Sequence, residues 1–424
     1  MERTGYLIVG AGISGLAFAD RLNDEDYLIV EAEDEIGGYC RTVKRDGFVW
    51  DYSGHFFHFR HPEIEEELVG RMDGRVLRID RDSRIWYADR FIDFPFQENI
   101  HQLPEAEYQE CVRDLRDRPS EDRSANFKEM LYARYGRAIA EKFLVPYNEK
   151  LYATNLASLD IDAMGRFFPH VTAEEILTRA ERPERGGYNM TFTYPEGGAI
   201  QYVEALAKGT RADRIALGEQ VLSIDLERSV AMTSKRDIQF ETLVSTAPFV
   251  SLLRMCDLEH DESAFGWNKV LVFNLGFDTK GRSGVHWIYY PQRELCFYRV
   301  GFYDNIFDTD RMSLYVEIGL SRDAEVGPDA GEFWLPRVLA DLQACGVITD
   351  QTLIASHHVL LDPAYVHITT RSIAETRRCK VKLAARGVHS IGRYGSWRYC
   401  SIEDNIVEAR ALVEGLGHVL GSSA

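Results

Sequence analysis

The spacing of apolar and polar positions changes several times along the chain. Residues 6–9, YLIV, form a short β-rich run, and after Gly10, Gly12 and Gly15 the apolar positions return at helical spacing through LAFADRL. A second YLIV at 27–30 stops at Glu31. The order predicted is strand, turn, helix, strand. In residues 126–145, Phe127, Leu131, Tyr135, Ile139 and Phe143 recur every four positions and make one apolar helical face, which Pro146 is expected to end. KVLVFNLGF, HWIYYPQRELCFYRVGF and RMSLYVEIGL, between 269 and 320, are β-rich instead, and Pro-Gln-Arg-Glu divides the second into two strand-like halves. These predict an antiparallel sheet. SIEDNIVEARALVEGL, 401–416, places Ser401 and Asp404 at capping-box spacing ahead of a stripe of Ile402, Ile406, Ala409, Val413 and Leu416. Its helix is expected to close the first domain with its N-terminus aimed at the ligand. RDRPSEDRSA, 116–125, reads as an exposed loop.

At 424 residues the chain exceeds one ordinary core, so two or three packed units are expected. There are 49 Lys and Arg against 67 Asp and Glu, a net charge of 49 − 67 = −18. That field repels nucleic acid and anionic membranes, and an anionic substrate would need locally clustered arginines. The seven cysteines are scattered with no CxxC pair, which fits reduced thiols in a cytoplasmic enzyme better than disulfides or zinc. Residues 5–19 look like a signal peptide at first sight, but their glycine spacing has a better explanation. No apolar run reaches the roughly 20 residues of a membrane span.

The explanation is a dinucleotide fingerprint. Gly10, Gly12 and Gly15 stand as G-x-G-x-x-G between a strand and a helix, and Glu31 lies 31 − 10 = 21 positions beyond the first glycine. Gly10 permits the tight turn, Gly12 lets backbone approach a pyrophosphate at the helix N-terminus beside Ser14, and Gly15 allows close helix–strand packing. Glu31 would accept hydrogen bonds from ribose hydroxyls. The dinucleotide is FAD or NAD. A second glycine pair, Gly37 and Gly38, with Arg41 just beyond, favours FAD over a plain surface turn.

HFFHFRH, residues 55–61, holds three of the chain's 12 histidines. Carboxylate or cysteine partners at ligand spacing are missing around it, so a metal is not expected. His58 and His61 read equally well as polar residues satisfied within an aromatic layer.

From here the chain resembles the UDP-galactopyranose mutase family, nearer the eukaryotic type, within the FAD-dependent amine-oxidase and mutase-like flavoproteins. The segments that carry the resemblance are GFVWDYSGHFFHFRHPEI, FIDFPFQENI (91–100), FLVPYNEKLYA (143–153), MGRFFP (164–169), FTYPEGGAIQYVEAL (192–206), HWIYYPQRELCFYRVGFY (286–303) and GRYGSWRY (392–399). The resemblance implies an α/β fold in three parts. A Rossmann-like FAD-binding domain takes residues 1–80, 193–248 and 385–424. A helical substrate-covering insertion takes 98–182. An antiparallel β-sheet substrate domain takes 81–97 and 249–384. It implies that reduced FAD acts through N5 as nucleophile at an anomeric carbon, interconverting pyranose and furanose forms of a nucleoside-diphosphate sugar for cell-surface polysaccharide. An external reductant such as NAD(P)H would supply the electrons.

Residue by residue, the resemblance places Gly54 and His55 beside the reactive edge of the flavin, and Gly392, Arg393, Asp404 and Asn405 against the cofactor. Arg166 and Arg299 would clamp the diphosphate, with Tyr365 and Tyr399 as further phosphate ligands. Gln97, Asn148, Trp287 and Tyr289 would hold base and ribose. The catalytic set implied is His55, Arg166 and Arg299. Three features depart from the family pattern: Tyr152 stands where tryptophan is usual, Ile306 stands where a tyrosine is expected, with Tyr303 as its possible substitute, and the chain is shorter than the eukaryotic enzymes. Two rival readings share the nucleotide fingerprint. One is an amine-oxidase or protoporphyrinogen-oxidase type of oxidoreductase, and the other is a flavin-bound protein without turnover.

Overall fold

The computed structural model of the protein describes residues 1–22, 26–119, 122–181 and 191–421; positions 120 and 121 of the expected 116–125 loop and position 182 of the expected insertion lie outside them. The fold is mixed α/β, built on two seven-stranded sheets.

In the first sheet, Glu2–Val9 runs parallel to Tyr27–Val30 on one side and to Asp237–Ser245 on the other. Val388–Ser390 adds a further parallel strand against Leu243–Ser245. Leu7, Ile8, Ile29, Leu243 and Val244 are fully buried, as strands sandwiched between helices must be. Helix Ile13–Leu22 covers this sheet and packs on the C-terminal helix Ile402–Gly421. The capping box of that helix is formed: Ser401 N–H donates to Asp404 at 2.8 Å, and Asp404 N–H donates to Ser401 Oγ at 3.1 Å. Ile406 and Ala409 of its stripe are buried, with Ile402, Val413 and Leu416 packed around them.

The second sheet is antiparallel along Leu353–His367, Gly266–Phe277, Ser313–Ser321, Arg299–Phe302 and Trp287–Tyr289, and then continues into Ser83–Tyr87 and Arg90–Asp93. Trp287–Tyr289 and Arg299–Phe302 are the two halves of the expected hairpin, but all of residues 290–298 connect them.

Helices between Glu105 and Glu181 cover one face of this sheet. Phe127, Leu131, Tyr135, Ile139 and Phe143 are all buried, as their spacing predicts. Pro146 does not end the helix. Residues Ala140–Leu144 widen into a π-turn, and Pro146 occupies the first turn of a new helix, Val145–Tyr152, where its missing N–H is not needed. The actual break is at Gly136 (φ 74°, ψ 166°), where a Cβ would come within 2.9 Å of the Asp114 backbone.

Candidate active site

Val9, Val30 and Ser245 lie side by side at one edge of the parallel sheet, the edge where α/β proteins bind nucleotides. The chain leaves Val9 through Gly10 at φ +102°, with Thr246 Oγ1 only 2.3 Å from where a Cβ would stand. A Cβ on Gly15 would meet the Gly10 carbonyl at 2.0 Å, so helix and turn are in contact. Gly12 differs. The first atoms its Cβ would meet belong to Gly38, 3.9 Å away, so the two glycine turns face each other across a slot free of side chains. Glu31 accepts from Ala11 N–H at 2.7 Å and Glu33 N–H at 3.1 Å, which fixes its carboxylate beside the turn. Ser14 is buried against Gly392, whose Cβ would lie 2.6 Å from Ser14 Oγ. Arg41 donates to the Glu35 carbonyl at 3.0 Å and pairs with Glu33 and Glu35, tying down the acidic stretch after Glu31.

Next to this turn is a cavity of about 330 Å³ between the antiparallel sheet, the helical cover and the C-terminal helix. Gln97, Asn148, Arg166, Trp287, Tyr289, Arg299, Tyr365 and Tyr399 all line it, together with Gly54, His55 and Arg393. Asp404 and Asn405 do not. Asn405 Nδ2 donates to the Ser401 carbonyl at 3.0 Å, and Asp404 is occupied by the helix cap and by Arg166.

The Gly54–His55 loop is placed by the strand before it. Asp51, at the end of Phe48–Asp51, accepts from Ala199 N–H at 3.0 Å, from Thr42 Oγ1 at 2.5 Å and from Tyr194. Burial pushes the Asp51 carboxyl up to about 6. A Cβ at Gly54 would lie 2.6 Å from the Tyr315 hydroxyl, so only glycine passes there. Burial holds the His55 imidazole down at about 4, and the Arg393 and Arg299 charges add to the effect, so it is neutral at pH 7. Among the described residues its Nδ1 has no hydrogen-bond partner.

Each of the two arginines expected at a diphosphate is held by a carboxylate. Arg299 makes two 2.7 Å bonds to buried Glu317, the two-point geometry that guanidinium and carboxylate favour. Ser53 also donates to Glu317. Arg166 Nη2 reaches the two Asp404 oxygens at 2.6 and 2.8 Å, and its guanidinium lies over Phe167 at 4.2 Å. Arg393 lies over Tyr399 at 4.6 Å and Tyr365 at 5.1 Å, two nearly parallel rings that it orients by cation–π attraction. Trp287 stacks on Phe56 with centroids 4.2 Å apart. Among the described residues, Trp287 Nε1 and Asn148 Oδ1 are buried without partners, and both residues line the same cavity.

Tyr303 does not take the place of the tyrosine lost at Ile306. Its hydroxyl accepts from Asp51 N–H at 3.2 Å, and it does not line the cavity. His58 Nδ1 donates to the Thr191 carbonyl, 2.8 Å away, and borders the cavity, whereas His61 occupies the N-cap position of helix Pro62–Arg71 without a side-chain cap bond and faces Glu63 at 3.3 Å. Among the described residues no three His, Cys, Asp or Glu side chains converge as a metal site. Sequence reasoning missed Glu317, Arg81, Phe56 and Tyr147, which also line the cavity. A lone acid inside SLYVEIGL was a usable signal for Glu317, since an acid buried in a strand needs a paired charge.

The residues present fit FAD. The Gly12–Gly38 slot at a helix N-terminus suits a pyrophosphate, Glu31 suits a ribose, and the unpaired Nδ1 of His55 sits where a hydrogen-bonding ring can meet it. The sequence pattern of flavin containing amine oxidoreductases matches residues 13–325. A crystal structure of reduced UDP-galactopyranose mutase superposes with a TM-score of 0.90 at 25% identity, covering 99% of this chain and 94% of that one. A putative protoporphyrinogen oxidase from Exiguobacterium sp. 255-15 superposes at TM-score 0.76 and 17% identity, covering 98% of each chain, which is a likeness of fold. Among curated proteins, the zeta-carotene-forming phytoene desaturase of Myxococcus xanthus is 34% identical over 92 residues, 20% of this chain and 17% of the relative. The chloroplastic protoporphyrinogen oxidase of Nicotiana tabacum is 41% identical over 74 residues, 17% of this chain and 14% of the relative. The chain thus spans less than a fifth of the length of either curated relative.

Proposed function

The chain belongs to the flavin containing amine oxidoreductases, FAD-dependent enzymes and their mutase-like kin, and within them we propose that it is a nucleotide-sugar mutase, interconverting pyranose and furanose forms of a nucleoside-diphosphate hexose. The observation that carries the reading is the convergence of Arg166, Arg299, Arg393, Tyr365 and Tyr399 on one cavity with the Gly54–His55 loop. A desaturase or oxidase acting on an apolar substrate has no use for such a cationic group.

The chain's own residues do the following. Arg299, pre-set by Glu317, receives the diphosphate without a change of rotamer, while Arg166 exchanges Asp404 for a phosphate oxygen. The Tyr365 and Tyr399 hydroxyls, oriented by Arg393, donate to the same group. Trp287 and Phe56 would offer a stacked face to the base, and Gln97 and Asn148, which line the same cavity, would hold base and ribose. Reduced FAD, when bound, supplies N5 as the nucleophile toward the anomeric carbon. Neutral His55 would offer a hydrogen bond to the ring edge without adding positive charge there. By keeping the departed diphosphate in place, the arginines let it recombine with the rearranged sugar. A reductant such as NAD(P)H is needed once, to reduce the flavin.

The experiment is anaerobic. The FAD-loaded protein is reduced with dithionite, given a panel of nucleoside-diphosphate hexopyranoses, and assayed for furanose isomers by chromatography, with oxidised protein in parallel. An isomer formed only with reduced flavin is expected. No isomer across the panel, with the flavin of the oxidised sample instead reduced by an amine or porphyrinogen and returned to the oxidised form by oxygen, replaces the mutase by the oxidoreductase reading that the short matches to a desaturase and an oxidase favour.

A further inference from the structure

A second cavity, of about 630 Å³, shares no lining residue with the first. One wall is a single face of helix Thr370–Ala384, where Ile373, Arg377, Lys380, Val381 and Ala384 recur at three- and four-residue intervals. The other wall is Ser396–Arg398 with Glu408 of the C-terminal helix.

Three properties of this groove are unusual for the molecule. The first is charge. Helix Thr370–Ala384 carries five Lys or Arg and one Glu, in a chain of net charge −18. Its Glu375 is bound to Arg378 at 2.6 Å, and Glu408 is already occupied by Ser396 Oγ at 2.5 Å, Gly392 N–H at 2.9 Å and Arg398 at 3.1 Å. Arg377 has no ion-pair or hydrogen-bond partner among the described residues, so the groove keeps a net positive charge. The second is apolar exposure. Ile373 and Val381 are 51% and 67% exposed, eight positions apart on the same face, with the Trp397 ring at the opposite wall. The third is unused hydrogen-bonding capacity: Thr376 and Trp397 line the groove, and among the described residues their buried Oγ1 and Nε1 have no partner.

We infer that this groove is a second ligand site, which takes a small anion with an apolar body, of the aryl or acyl phosphate or carboxylate class. The volume lies within the roughly 300–1,000 Å³ of small-molecule sites. Its concavity between two helices suits a compact molecule better than a flat bilayer. The groove's cations meet the anion, and Ile373 and Val381 lose water to the apolar part.

The test uses the FAD-loaded full chain and isothermal titration with 1-naphthyl phosphate, with 1-naphthol as its uncharged counterpart. The variants are Ala384→Trp, which fills the groove from an exposed position, Arg377→Glu, which reverses its free charge, and Arg299→Ala in the first cavity. A binding event should survive Arg299→Ala and weaken about tenfold or more in either groove variant, with 1-naphthol weaker by a similar factor. Circular dichroism of each variant checks that the fold is kept. Binding that ignores both groove variants, or that is lost only with Arg299→Ala, overturns the inference. So does an absence of heat at millimolar probe. Co-sedimentation with phosphatidylserine vesicles without naphthyl phosphate binding would mean a lipid surface instead, and would equally overturn it. None of these readouts depends on mutase turnover.

Discussion

In the proposed mutase, His55 and the two paired arginines are the single side chains on which the chemistry would turn. His55 titrates at about 4 when folded against 6.5 as a free side chain, mainly because burial disfavours its charged form. Between those values the unfolded chain takes up a proton that the folded chain refuses, so His55 makes stability rise with pH, and this stability is lost as pH falls from 6.5 toward 4. Asp51 works in the opposite sense. Its folded value of about 6 against 3.8 means that stability falls as pH rises through that interval. Comparing His55→Phe with the wild type isolates the first effect. In urea unfolding at about pH 7.5 and about pH 5, the variant should lose less stability on acidification than the wild type. Equal losses would show that His55 is not held neutral. For Arg166 the competing carboxylate is the issue. Asparagine can still accept from Ser401 N–H, so Asp404→Asn keeps the helix cap while releasing the arginine. Titration with UDP should give an affinity about three- to tenfold tighter, a gain of roughly 1 kcal/mol. Unchanged or weaker binding would remove Arg166 from the diphosphate site.

The element on which the proposed cofactor binding rests is the turn at Gly10–Gly15. Its three glycines are required for different reasons. Gly10 and Gly15 are held by the protein itself, since a Cβ at either would strike Thr246 or the Gly10 carbonyl. Gly12 meets no protein atom closer than 3.9 Å, so its lack of a side chain serves the ligand slot. Gly12→Val should therefore leave circular dichroism and the unfolding midpoint of the flavin-free protein unchanged, while FAD affinity by fluorescence titration falls about a hundredfold or more. Loss of the fold in Gly12→Val would refute this division of roles. Much of this element was legible in the sequence, because strand, turn, helix and Glu31 lie within one continuous stretch. The helix around Pro146 was not. Its fate depends on the π-turn at Ala140–Leu144 and the break at Gly136, where contact with Asp114 imposes a backbone that spacing alone does not predict.

At the scale of the whole molecule, FAD would bridge the parallel sheet, the Gly54–His55 loop and the start of the C-terminal helix. A ligand that binds only the folded state stabilises it by mass action, about 4 kcal/mol at a thousandfold excess over the dissociation constant. Removing FAD should lower the melting temperature measured by circular dichroism, and adding it back should restore it. No change on removal would show that the cofactor sits outside the cooperative core.

The nucleotide turn, the stripe from Phe127 to Phe143 and the capping box at Ser401 are set by neighbours a few residues apart, and the sequence by itself determined them. Tertiary structure alone decided that Gln97, Asn148, Arg166, Trp287, Arg299, Tyr365 and Tyr399 share one cavity. It also decided that Arg299 is paired with Glu317, Arg166 with Asp404, and that Tyr303 turns away to Asp51. Propensity and periodicity act over one or two turns of chain, whereas an ion pair between residues 166 and 404 exists only once the helical cover and the C-terminal helix have packed together.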